Sequence, residues 1–265
     1  MDHLKNSISR FLRKIGLLPL ADYFRYFFFK WKKFKSNNDF KLVNPEIAIP
    51  PDYLMYESYK LDYDKYYFEG RKTTEWIQQL TKEWLPEDKI VLLDWGCGPG
   101  RVIRHWTENK YVCFGSDVNK ESLKWCRQHL PNIHFLEQDL TPPLKMADQT
   151  FDLIYGISIL THLSESAHFQ WVEELKRLLK PSGILLLTTQ GNAFNNKFSK
   201  KEKMEFEKGK LIIRDSVREG HRTFSSFQPK LFMEKLFDSF EILKHISTEK
   251  EKNVQDVWIV RKFIH

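Results

Sequence analysis

Apolar positions along the chain follow two rhythms. Short apolar runs occur at Ile90 to Asp94, Tyr111 to Ser116, Ile133 to Glu137, Phe151 to Ile157 and Ile184 to Thr189. The first is too short for a helix and reads as a strand buried on both faces; the others repeat the pattern. Between them, apolar residues return every three or four positions, the spacing of one helix face. Ile77, Leu80 and Trp84 place such a face on a helix from Gly70 to Leu85, stopped by Pro86. Further helices are expected from Arg101 to about Asn109 and from Asn119 to Leu130, the latter ended by Pro131. Ser164 reads as the N-cap of a helix to Leu179, with Phe169, Val172, Leu175 and Leu179 as its core stripe and Pro181 and Gly183 ending it. A helix at Pro229–Asp238 and strands at Phe240–Ile246 and Val254–Arg261 close the chain. Alternating strands and helices of this length predict a mostly parallel sheet with right-handed crossovers.

Two regions break that rhythm. Gln190 to Gln228 is polar and partly basic, with a candidate hairpin at Lys210–Arg214, and it follows the carboxyl end of a strand. That placement suits a lid or an acceptor-recognition insert. At the other end, Leu4, Ile8, Phe11, Leu12 and Ile15 share a helical face opposite Arg10, Arg13 and Lys14, and Gly16 and Pro19 break that helix. A second helix follows with Leu20, Phe24, Phe27, Phe28 and Trp31 on one side. Asn37 to Asp52 reads as an extended linker, and the tyrosine-rich Tyr53 to Tyr67 as a segment at a ligand mouth. The domains expected are thus a basic aromatic helical arm at 1–36, a linker and mouth segment at 37–69, and a main domain at 70–262 with its insert at 190–228.

Charge sharpens the division. The net charge is +7, and residues 1–36 hold nine lysines and arginines against Asp2 and Asp22, leaving 33 bases and 33 acids elsewhere. A neutral body argues against a broad nucleic-acid surface on it. The arm offers too few consecutive apolar residues to span a bilayer and shows no secretory cleavage site. Its basic and aromatic faces are what an in-plane contact with an anionic membrane needs. Cys97, Cys113 and Cys126 show no metal or redox spacing, which suits a reducing compartment.

The candidate chemistry centres on IVLLDWGCGPGR, residues 90–101. Gly96, Gly98 and Gly100 let the backbone turn sharply and leave no side chain between it and a ligand. N–H groups opening the next helix would point at that ligand. A dinucleotide fingerprint requires G-x-G-x-x-G, but here the pattern is G-x-G-x-G and Arg101 stands at the third glycine's place. Asp117 and Asp139 close the next two strands and are suited to gripping a ribose and an adenine amine.

With LDWGCGPG, SDVN and EQDL together, residues 66–262 resemble the class I S-adenosylmethionine-dependent methyltransferases. The resemblance implies an α/β fold: a Rossmann-like, mostly parallel sheet with flanking helices and an antiparallel last strand. The N-terminal amphipathic helices are an extension to it. It implies S-adenosylmethionine as cofactor, with Gly96 and Gly98 under its methionine and ribose portions. Asp94 would help hold the amino-acid end, Asp117 accept the ribose hydroxyls, Asp139 accept from the adenine amine with Leu140 nearby, and Arg71 meet the carboxylate.

The acceptor side is read from the residues after the fourth strand. Nucleobase-amine methylases carry an N-P-P-Y-like tetrad there, whereas this chain has Tyr155-Gly156-Ile157-Ser158, so base methylation and nucleic acid are not expected. A sugar-type hydroxyl needs a base; His162, with an unperturbed pKa of about 6.5, is the first candidate and His221 in the insert the second. No carboxylates stand at Gly156–Ser158 or Gln190–Asn192, so no metal is expected. ISILTHLSES, WVEELKRLLKPSG and the closing QDVWIVRK are similar to stretches of bacterial methyltransferases of cell-surface glycan pathways. The expectation is O-methylation of a glycan or lipid-linked saccharide in the cytoplasm, at the inner membrane face. The alternatives are a small-molecule or lipid acceptor, or a catalytically idle cofactor-binding partner subunit.

Overall fold

The structure is a computed structural model describing residues 18–59, 61–214, 219–220, 224–249, 251 and 253–264. The chain divides into two compact units, 1–73 and 74–265.

The larger unit is built on a seven-stranded sheet. Its strands are β1 (Ile90–Trp95), β2 (Tyr111–Asp117), β3 (His134–Glu137), β4 (Phe151–Gly156), β5 (Leu179–Thr189), β8 (Phe240–Ile246) and β9 (Asp256–Lys262). The order across the sheet is β3-β2-β1-β4-β5-β9-β8. β1 to β5 run parallel, and β9 lies antiparallel to both β5 and β8. This is the fold class expected: mostly parallel, Rossmann-like, with the last strand reversed. Asn119 caps the helix Lys120–His129 by accepting from the Ser122 N–H at 3.1 Å, and Ser164 caps Glu165–Leu178 through Ala167 N. Each cap satisfies an orphan donor of a helix start. Leu175, Leu178, Phe232, Met233 and Leu236, from Glu165–Leu178 and Lys230–Leu236, cover Leu185, Leu187 and Trp258 of the sheet. Each such large side chain contributes about 1.5–3 kcal/mol on burial.

Three expectations are corrected here. No α-helix follows the glycine loop; only a single 3-10 turn, Ile103–His105, forms. The Thr74 hydroxyl donates to the Val102 carbonyl at 2.8 Å, the acceptor that an α-helical Trp106 N–H would use, and Trp106 N–H turns to Ile103 O instead. The helix dipole anticipated at the loop is therefore absent. β5 begins at Leu179, not Ile184: Leu179 already pairs with Phe151, and the register shifts before Ile184. Pro181, Ser182 at φ 62° and Gly183 make an irregularity within the strand rather than a break before it. In the insert, Ile212–Arg214 (β6) pairs with the distant Ser225–Phe227 (β7), not within a tight hairpin, and a helix, Lys200–Glu207, precedes it.

The smaller unit holds helices α1 (Leu18–Val43), α2 (Asp52–Tyr59) and the start of α3 (Tyr63–Thr81). α1 continues past residue 36 to Val43, so the extended linker expected from Asn37 begins only after it. Asn37 explains this: its buried amide donates to Leu61 O at 2.7 Å and accepts from Tyr63 N–H at 3.2 Å. Those bonds fix a poor helix former inside the helix. Phe40 then packs with Met55, Tyr56, Leu61, Tyr63 and Tyr66. The amphipathic segment Leu4–Ile15 lies outside the described residues.

Candidate active site

The carboxyl ends of β1, β2, β4 and β5 meet along one edge of the sheet, where parallel α/β folds bind ligands. The glycine loop there is fastened to β2. Gly96 N–H and Cys97 N–H donate to Ser116 O at 2.8 and 2.9 Å, and Gly98 N–H donates to Asp117 Oδ2 at 2.7 Å. Gly96 sits at φ +77°, and a Cβ on it would meet Ile159 Cδ1 at 2.1 Å. Gly98, at φ +52°, has nothing within 4 Å of its would-be Cβ, so the backbone borders an open hollow.

Asp117 is largely buried, and burial raises its pKa; the N–H groups of Asn119, Gly98 and Val118 pull it back down. Its Oδ1 accepts from Asn119 N–H at 2.7 Å as its Oδ2 does from Gly98 N–H. Next to it, Gln138 N–H donates to Asp117 O at 3.1 Å, while Gln138 Oε1 is buried with no donor among the described residues. Asp139 is exposed. Leu140 is half-buried; its carbonyl accepts from Trp171 Nε1 at 2.8 Å, and a Cβ on Gly220 of the insert would meet its Cδ2 at 2.4 Å.

Asp94 lies under the loop, fully buried, and desolvation lifts its pKa to about 7. A hydrogen bond from the Tyr155 hydroxyl, the Arg101 charge and the Ile103 N–H offset part of that, while Asp117 adds to it. Trp106 Nε1 in turn donates to the Tyr155 hydroxyl at 3.1 Å. Because the folded carboxyl holds its proton more tightly than the unfolded one, its contribution to stability is full below about pH 4 and lost as pH rises to about 7. The thermal midpoint of the ligand-free protein should therefore fall across this window, with a slope of up to about 1.4 kcal/mol per pH unit from this group, and Asp94→Asn should flatten it. Equal slopes in melting experiments on both proteins would remove Asp94 as the source.

On the other side of the loop, His162 ends the 3-10 turn Leu160–His162 just past β4. Its Nδ1 lies 3.0 Å from Phe224 O, which places the ring hydrogen on Nδ1 and leaves Nε2 as the basic nitrogen. The insert holds the same residue by its backbone, through Gly220 N–H to His162 O at 3.0 Å. Behind it, His168 donates from Nδ1 to Ser164 O and meets Gln228 Nε2 at 3.1 Å through Nε2. Burial lowers the His168 pKa to about 4, so it is a neutral strut and not a base. His221 lies outside the described residues. Arg71 is an exposed residue of α3, in the smaller unit.

The sequence reading missed a polar group at the ends of β4 and β5. Ser158 adopts φ 66°, a left-handed conformation costly for a residue with a side chain. It is held there by three bonds: Ser158 N–H to Thr188 Oγ1 at 2.8 Å, Thr161 Oγ1 to Ser158 O at 2.6 Å, and Ser158 Oγ to Gln255 Oε1 at 2.9 Å. Thr188 Oγ1 also donates to Gln255 Oε1, at 2.7 Å. The only hint in the sequence was the position of Ser158 immediately beyond a strand end.

Against this geometry, the model of the family described as "Methyltransferase domain" matches residues 92–183. Residues 92–183 are thus similar to that family. The chain is 31% identical over 98 residues to a malonyl-[acyl-carrier protein] O-methyltransferase of Enterobacter lignolyticus, covering 37% of this chain and 38% of that protein. It is 30% identical over 110 residues to a trans-aconitate 2-methyltransferase of Azoarcus, covering 40% and 41%. The chain thus spans about two fifths of the length of these curated relatives. In fold, it is similar to an S-adenosylmethionine-dependent methyltransferase from Methanosarcina mazei, with TM-score 0.54, 20% identity and 70% of this chain and 98% of that one covered. A Pyrococcus horikoshii protein gives TM-score 0.55 at 18% identity, covering 81% and 100%.

The Methanosarcina mazei protein is named as dependent on S-adenosylmethionine. The residues present suit such a group: the hollow beside Gly98, the Asp117 carboxylate and Gln138 Oε1, which has no donor among the described residues, are a space and acceptors for a polyhydroxylated, amine-bearing nucleoside.

Proposed function

We propose that the protein is an S-adenosylmethionine-dependent O-methyltransferase whose acceptor is an uncharged hydroxyl of a glycan or lipid-linked saccharide, acting at the cytoplasmic face of a membrane. When bound, the cofactor supplies a methyl group on a positive sulfur. Asp117 would accept from the ribose hydroxyls, Gln138 and Asp139 from the adenine amine, and Asp94, Gly96 and Gly98 would serve the remainder. His162 Nε2 would take the acceptor proton as the oxygen bonds to carbon, and the electron pair of the broken bond stays on sulfur.

One observation carries the choice of acceptor. Ser158 and Thr188 at the ends of β4 and β5 both bond Gln255, and His162 lies just beyond β4. Hydroxyls and an amide suit a neutral hydroxyl acceptor. A small-acid or acyl acceptor is the second reading, favoured by the names of the two curated relatives. Comparative mass spectrometry of surface glycans and lipids, with and without the gene, decides between them. A saccharide lacking one methyl group in the deletion supports the proposal. Unchanged glycans, together with methyl transfer to malonyl-carrier or aconitate by the purified protein, overturn it.

A further inference from the structure

α1 has two apolar faces, and only one of them is used by the fold. At 100° per residue, Tyr26, Phe29, Lys33, Asn37 and Phe40 share a face. Phe40 of that face is buried with Met55, Tyr56, Leu61 and Tyr66, and Tyr26 and Phe29 pack against the same cluster. The opposite face carries Leu20, Tyr23, Phe24, Phe27, Phe28, Trp31 and Phe34 at the positions of one helical stripe. All are exposed: Phe24 and Phe34 by 65%, Trp31 by 76%. Leu42 prolongs the stripe at 81%. A soluble surface seldom leaves so many contiguous rings in water.

The flanks of the stripe are cationic. α1 contains Arg25, Lys30, Lys32, Lys33, Lys35 and Lys41 against Asp22 and Asp39. Lys33 is turned inward to Asp62 at 2.6 Å and Lys30 pairs with Asp52 at 3.1 Å, which leaves Lys32, Lys35 and Lys41 as exposed cations with no carboxylate partner among the described residues, and Arg25 exposed over the Phe29 ring. The helix is about 39 Å long, and among the described residues none is long and apolar enough to cross a membrane.

We propose that the outward face of α1 docks on an anionic lipid bilayer, with α1 lying in the plane of the headgroups, its rings at the acyl boundary and its cations on lipid phosphates. Tyr and Trp favour that boundary because each has an apolar body and a polar tip. The combination of apolar stripe and basic flank is what in-plane binding requires. A second copy of the chain is a poorer occupant: a twofold contact through this face would set Lys30, Lys32, Lys35 and Lys41 of one protomer beside the same residues of the other. The inference rests on no part of the catalytic reading.

The test is flotation of the full-length protein with vesicles of phosphatidylcholine alone and with a third of phosphatidylglycerol. The wild type should float with the anionic vesicles and much less with the neutral ones, and salt should weaken the binding without abolishing it. Phe24→Ser/Trp31→Ser/Phe34→Ser should reduce partitioning at least about tenfold with an unchanged thermal midpoint, because these rings are exposed in the fold. Lys32→Glu/Lys35→Glu should remove the preference for anionic vesicles. The proposal falls if the wild type stays in solution with anionic vesicles, if it floats equally with both, or if the triple-serine protein floats as well as the wild type. It falls too if the wild type is a dimer that the serine substitutions split, since a second copy then covers the face.

Discussion

His162→Ala is expected to lower methyl transfer roughly 10²–10⁴-fold while leaving S-adenosylmethionine affinity nearly unchanged. The size follows from removing a positioned base from a reaction in which a neutral hydroxyl must lose its proton as it attacks. The structure adds a way to separate this from a merely supporting role. His162 donates from Nδ1 to Phe224 O and so helps to seat the insert. His162→Gln retains a side-chain N–H for such a bond but has no basic nitrogen, so it should be as slow as the alanine variant. The acid limb of the rate-versus-pH profile should vanish in both. Turnover within about threefold of wild type in single-turnover assays would retire His162 as the base and leave it as an anchor for Gly220 and Phe224.

Asp117→Ala is expected to weaken cofactor binding by about 2–4 kcal/mol, roughly 30- to 1000-fold. Two losses add. The ribose loses its charged acceptors, and Gly98 N–H loses the 2.7 Å bond that holds the glycine loop in place. Asparagine should be no milder, since its amide nitrogen would face one of two donors, Gly98 N–H or Asn119 N–H. Isothermal titration showing equal affinity in wild type and Asp117→Ala would remove Asp117 from the site.

The parts of the fold that were legible in the sequence are those that local pattern determines. β1, β2, β4 and β8 fall within a residue or two of their apolar runs, and the caps Asn119 and Ser164 stand where short polar side chains precede periodic apolar ones. What escaped was set by partners far away in sequence. Where a helix was expected after Gly100, the Val102 carbonyl accepts from the Thr74 hydroxyl and from His105 N–H, and a 3-10 turn forms. The length of α1 depends on what Asn37 meets at Leu61 and Tyr63. The strained Ser158 and its tie to Gln255 join strands β4, β5 and β9, a coincidence of three ends that no local spacing announces. For the candidate site, the glycine loop and Asp117 were readable because a turn and a strand-end acid leave a mark in sequence. Gln138 left none, being distinguished only by a buried oxygen without a donor among the described residues.

The central claim is that the loop at residues 96–100 and the acids around it hold an S-adenosyl nucleoside. Titration calorimetry of the full-length protein with S-adenosylmethionine and with its demethylated product tests it most directly. The account predicts saturable micromolar binding of both, at one site per chain, and no heat from NAD under the same conditions. Absence of saturable binding of either S-adenosyl compound up to millimolar concentration, or NAD binding of equal strength, would contradict it.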